Sequence, residues 1–189
     1  MKLSAPIKGL IIALLCTLFA FGIYFFFLAK RNYYALDNPS GNSYYFSLNN
    51  SGEGIIAPGQ TLKVDLKTGK NTIKVMDEQK KVLYDSAFQV SKIRGLLNIA
   101  HQDYYINTQY YGYGLDKDSL LKAKKVVSID GKEYFGEPKK MNTLYSEDFY
   151  YNVDEDYDKL IKNIDKVESR TKIFRKQDFK EYYNEYYKF

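Results

Sequence analysis

The chain has 189 residues, among them 28 basic and 23 acidic, one cysteine, one histidine, twenty tyrosines and no tryptophan. Four of the basic residues (Lys2, Lys8, Lys30, Arg31) flank a single apolar run and no acid precedes Asp37, so the remainder carries 24 basic against 23 acidic groups. That balance argues against nucleic-acid binding. One cysteine cannot form a disulfide framework, and His101 alone cannot form a histidine-cluster metal site.

After a short tail (residues 1–8), residues 9–29 contain no charge. At about 1.5 Å per helical residue the run spans about 31 Å, the thickness of a bilayer core, and predicts one transmembrane helix held in lipid. A cleaved signal peptide has a shorter apolar core and a small-x-small site. Here Phe27 stands two residues before Ala29. A lipoprotein signal fits no better, because Cys16 follows Leu14-Leu15 and the apolar run continues beyond it. The reading is a single-pass signal-anchor in the cell (inner) membrane. Its domain is expected on the periplasmic or extracellular face, because a short tail before a large domain inserts with the tail in the cytoplasm. The flanking lysines and Arg31 are almost evenly split between the two sides.

Residues 30–43, ending Asp-Asn-Pro-Ser-Gly-Asn-Ser, read as a juxtamembrane linker, and residues 44–189 as a β-rich soluble domain. Tyr44–Leu48 is the first predicted strand. Residues 61–66 alternate with Leu62, Val64 and Leu66 on one face, and 72–76 turn Ile73 and Val75 inward. Residues 82–84 and 87–90 form the next strand region. Strands about ten residues apart with Gly-containing turns predict an antiparallel sandwich. In pattern, residues 44–90 resemble the Pro-Gly-turn, alternating-strand modules of bacterial envelope proteins with immunoglobulin-like sandwiches. The resemblance implies a sandwich and carries no functional residue.

Beyond Arg94-Gly95, residues 104–112 have high β propensity. Residues 125–129 and 132–135 flank Asp130-Gly131, a type I′ hairpin signal. Leu144-Tyr145 and Phe149–Tyr151 add short strands. No repeat is strong enough to split the domain, with two small β units, 44–94 and 95–189, as the alternative division. At the C-terminus Phe179, Tyr182, Tyr183, Tyr186 and Tyr187 recur at helical spacing, predicting an amphipathic helix that begins near Gln177 or Asp178. The fold class expected is therefore mainly β: one N-terminal transmembrane helix, an antiparallel β-sandwich-like domain and a C-terminal amphipathic helix.

Candidate chemistry is sparse. Glu147, Asp148, Asp154, Glu155, Asp156 and Asp158 form an acidic cluster. A calcium loop starting at Asp154 needs Gly at its sixth position and Glu at its twelfth, where Lys159 and Asp165 stand. A solvated acidic loop is the simpler reading, with the basic residues Arg170, Lys172, Arg175 and Lys176 offsetting it. His101-Gln102-Asp103 has no nucleophile elbow to complete a triad. Phosphate-loop, dinucleotide and Cys-x-x-Cys motifs are missing. No cofactor, metal or catalytic residue is assigned. The expected function is non-enzymatic: an envelope protein that binds another membrane or envelope protein as an accessory or structural subunit. Tyr182, Tyr183, Tyr186 and Tyr187 are the candidate partner-binding residues, although packing of that stripe on the domain's own sheet is the commoner fate of such a helix. A glycan- or peptidoglycan-binding module using a tyrosine-rich surface is the alternative, and an envelope-polymer hydrolase the third.

Overall fold

The computed structural model describes residues 4–25, 32–112, 114, 116–159 and 166–187. Helix α1 (Ala5–Ile23) starts behind Ser4 with Pro6 in its first turn, where a missing N–H costs nothing. It begins four residues before the charge-free run, so Lys8 lies inside it. Its window from Pro6 to Ile23 is long and apolar enough to cross a membrane, and none of it is buried by protein. Residues 26–31, including the last part of the expected span, lie outside the described residues.

From Tyr33 onward the chain is one compact unit. It is mainly β, built in layers around a central sheet ordered β12-β7-β1-β4. Here β1 (Tyr33–Asp37) pairs antiparallel with β4 (Thr61–Val64) and parallel with β7 (Arg94–Asn98), and β7 pairs with β12 (Tyr145–Ser146). Both faces of this sheet are covered. On one face Tyr34, Leu36, Leu97 and Ile99 pack against Leu48, Ile73 and Val75 of a second sheet ordered β3-β2-β5-β6. Its strands are β3 (Gly54–Ile56), β2 (Tyr44–Leu48), β5 (Gly69–Met76) and β6 (Val82–Val90). On the other face Ala35 and Leu96 pack against Tyr104, Ile106, Met141 and Ile173. These come from a third sheet, β11-β8-β13, made of β11 (Lys139–Met141), β8 (Tyr104–Tyr111) and β13 (Glu168–Arg175). Its outer face carries a further aromatic core. Tyr105 and Phe174 meet Ile129 and Tyr134 of the hairpin β9 (Val127–Ile129)/β10 (Lys132–Tyr134), and Phe179 and Tyr183 of helix α3 (Lys176–Tyr187). The remaining helix, α2 (Lys117–Lys122), is capped by Asp116, which accepts the Ser119 N–H.

The chain uses one strand pattern twice. Leu36, Asn38, Tyr44 and Tyr45 recur as Leu96, Asn98, Tyr104 and Tyr105, each 60 residues on. Asn38 donates to the carbonyl of Asn42, and Asn98 to the carbonyl of Gln102, so each closes the turn after its strand. Registers repeat as well. Tyr44 opposite Ile56 matches Tyr104 opposite Met141, and Phe46 opposite Val75 matches Ile106 opposite Ile173. Thus β1 to β5 correspond to β7, β8, β11, β12 and β13, and β1 and β7 pair side by side at the centre. The repeat does not split the domain, which stays one compact unit, and its few shared identities are not visible without the register. The copies diverge after their last common strand, β6 following one and α3 the other.

Several expected elements stand where predicted, among them β2, β5, β8, α3 and the Asp130-Gly131 hairpin, whose central residues have φ of 51° and 79°. Two expectations change. Residues 33–37 of the expected linker form β1, in which four successive residues are buried. A strand covered on both faces does not alternate. The antiparallel arrangement is broken by the parallel β1–β7 pair. The basic stretch lies on strand β13, with Lys176 opening α3, and Asp154, Glu155 and Asp156 of the acidic loop act on Lys172.

Candidate functional site

The four tyrosines proposed from sequence are brought together, but α3 turns them onto its own domain. Tyr183 is 2% exposed, its ring 4.9 Å from Tyr134, and its hydroxyl accepts the Phe135 N–H at 2.8 Å. Tyr182 stacks on Phe174 at 4.8 Å and accepts from Gln109 Nε2. Tyr186 stacks on Tyr182, and Tyr187 meets Tyr183 at 4.7 Å. Both are half-buried.

The acidic residues are likewise used internally. Glu147 accepts from the Ser91 and Lys92 N–H groups and the Tyr145 hydroxyl. Burial pushes its carboxyl up, but these hydrogen bonds prevail and hold it below the usual range. Asp148 is held low by Lys92 and Lys139. Glu155 accepts from Arg94 Nη1 on both oxygens, at 2.7 and 2.6 Å, and from the Asn152 N–H at 2.8 Å, and Asp154 accepts the Tyr33 hydroxyl. Asp165, the last position of the calcium pattern, lies outside the described residues. Among the described residues no group of three or more His, Cys, Asp and Glu side chains is placed to hold a metal. His101 sits in the β7–β8 turn at φ 49°, its ring 4.9 Å from Tyr84.

The pinned loop builds a cleft that sequence reasoning missed. Its volume is about 500 Å³, and its walls include Tyr111, Tyr150, Tyr151, Asp158 and Arg170. Tyr151 joins the edge of β13: its N–H donates to the Thr171 carbonyl and its own carbonyl accepts the Ile173 N–H, each at 3.0 Å. Its hydroxyl donates to Asp158 Oδ2 at 2.7 Å. Burial, and then this hydrogen bond, raise its phenol pKa. Arg170 projects from β13 between two rings, 4.3 Å from the centre of Tyr157 and 5.5 Å from that of Tyr111. Its Nε donates to Gln109 Oε1 at 2.5 Å, and its Nη1 to the Asp158 carbonyl. At the lip stands Tyr150, 39% exposed, with the Arg94 guanidinium 4.8 Å over its ring. Among the described residues it is the one exposed tyrosine of the β domain.

Behind Arg170, on the same face of the sheet, lies Lys172. It is 9% exposed, and its amine lies 4.9 Å from the Phe174 ring and 5.9 Å from that of Tyr157. Burial lowers its pKa, against an opposing pull from Asp156 and other acids. The equivalent position in the first copy is Lys74, which is exposed on β5. The only sequence sign of the cleft was the Tyr150-Tyr151 pair beside the acids. No family model matches this chain, and neither a curated protein nor a solved structure does.

Proposed function

We propose that the chain is a membrane-anchored, non-enzymatic protein of the cell envelope. In this reading α1 spans the inner membrane once. The domain, a three-layered variant of a sandwich, stands on the periplasmic or extracellular side and binds another protein as an accessory subunit. The observation that carries the reading is the cleft lip, where exposed Tyr150 lies under Arg94 beside Arg170. Tyrosine and arginine in a partly desolvated pocket are the residue types that anchor protein interfaces. The α3 tyrosines then serve the interior rather than the partner.

Purification of the full chain in mild detergent tests this. A different protein is expected in stoichiometric amount, and Tyr150→Ala is expected to release it while melting as the parent does. Repeated recovery of the chain without any other protein contradicts the reading. A reporter active only after export, fused after Phe189, is expected to be active; activity of a cytoplasm-only reporter there reverses the topology.

A glycan or peptidoglycan ligand is the second reading, favoured by the hydroxyl, carboxylate and ring groups that share the cleft. It ranks lower because sugar stacking calls for several exposed rings on one face, and among the described residues Tyr150 is the one exposed tyrosine of the β domain. Retention on insoluble peptidoglycan that Tyr150→Ala abolishes would exchange the two.

A further inference from the structure

Edge strands in this fold are short or covered, with one exception. β3, β4, β11 and β12 each run two to four residues. The outer edge of β13 carries the segment ending in Tyr151, bridged to Lys172. β6 is nine residues long and pairs only with β5. Among the described residues, no backbone hydrogen bond reaches its other side. It contains neither lysine nor proline, two of the residues that keep an edge from pairing; its one charge is Asp85, its bulge is confined to its start at Leu83, and Val82 and Leu83 there are 46% and 49% exposed. A row of open N–H and C=O groups is recognised by another extended backbone.

We propose that this edge pairs with β6 of a second copy, antiparallel about Ser86. The strand's own sequence selects that partner and that register. Centring on Ser86 sets Tyr84 opposite Phe88 in the row facing the core and Asp85 opposite Ala87 in the outer row, each pair occurring twice. Aromatic cross-strand pairs stabilise such a seam, and no like charges meet in it. Centring on Asp85 instead would bring two carboxylates face to face. Tyr84 and Phe88 already pack on the first-copy core, so the seam would extend an existing apolar row. The contact uses the same patch on both chains and closes at two. This surface is separate from the Tyr150 cleft. Tethering in one membrane, as proposed above, would raise the local concentration of copies, but the register stands without it.

The test is the mass of the full chain in detergent micelles, followed with dilution by sedimentation. A reversible dimer is expected. Ala87→Asp would face Asp85 of the other copy and weaken the dimer about tenfold, whereas Ala87→Lys would face the same carboxylate and tighten it by a similar factor. Within its own chain residue 87 is exposed and lies opposite Thr72, so both variants are expected to fold. Tyr150→Ala should leave the dimer unchanged. A monomer at every concentration, larger assemblies, or a dimer that the two Ala87 variants shift in the same direction or not at all would overturn the proposal.

Discussion

Asp37 is fully buried and joins strands of two sheets through one carboxylate. It accepts from Arg175 Nε at 2.9 Å and Nη2 at 2.5 Å, from the Tyr104 hydroxyl at 2.6 Å and from the Thr61 hydroxyl at 2.5 Å. These donors sit on β13, β8 and β4, so the group ties the third sheet to the central one. Removing one member of a buried ion pair strands the other, at a cost of about 3–5 kcal/mol. Asp37→Ala is therefore expected to destabilise the chain by about that amount in urea. Adding Arg175→Met is expected to recover part of the loss, giving a double variant more stable than the two single effects summed. Lys172 is the opposite case, a buried amine facing rings rather than a carboxylate. Lys172→Met is expected to stabilise the fold by about 1 kcal/mol at neutral pH. The folded-state pKa of Lys172 is lowered, so the unfolded chain binds its proton more tightly and stability rises with pH toward the ordinary lysine value of about 10.4. The gap between Lys172→Met and the parent should narrow as the pH rises toward that value; a gap that is constant or widens contradicts the assignment. Neither residue was legible in sequence. Asp37 sits in a polar stretch that reads as linker, and Lys172 in a basic one.

Helix α3 was legible because its stripe is regular: five aromatic residues at i, i+3, i+4, i+7 and i+8 have no other economical reading. Strands exposed on one face were legible for the same reason, and Ile73 and Val75 are fully buried as their alternation predicts. β1 and β7 were not, because a strand between two layers shows a continuous buried run of only four residues, too short to separate from a turn. β13 was hidden by composition. Arg170, Lys172 and Arg175 look solvated as a list, yet Tyr157 lies against the first two and Asp37 binds the third, all supplied from elsewhere in the chain. The cleft needed three such segments to meet and has no local signature. For α3 the consequence is testable. Tyr183 fills a site bounded by Tyr134, Phe179 and Tyr187, so Tyr183→Ala is expected to cost about 3–5 kcal/mol and lower the melting temperature sharply. An unchanged melt would mean that the stripe does not hold the domain together.

Tyrosine also sets how the whole domain responds to alkali. Burial raises the phenol pKa of Tyr84, Tyr104, Tyr145, Tyr157 and Tyr182 above the ordinary value of about 10. The folded state therefore keeps protons that the unfolded chain releases, and the stability present below about pH 10 is lost as the pH rises beyond it. Tyrosinate absorbance from these rings is expected to rise steeply, coincident with loss of circular dichroism. One smooth titration with the fold intact would contradict this. In the proposed function Tyr150 is the point where a partner would meet the domain. The direct measurement is to place a photo-reactive phenylalanine analogue at position 150 of the full chain in intact cells. Irradiation is predicted to give one adduct of discrete mass containing a different protein, absent when the same analogue replaces the exposed Glu185 on α3. No adduct at position 150, or the same diffuse adducts from both positions, would contradict it.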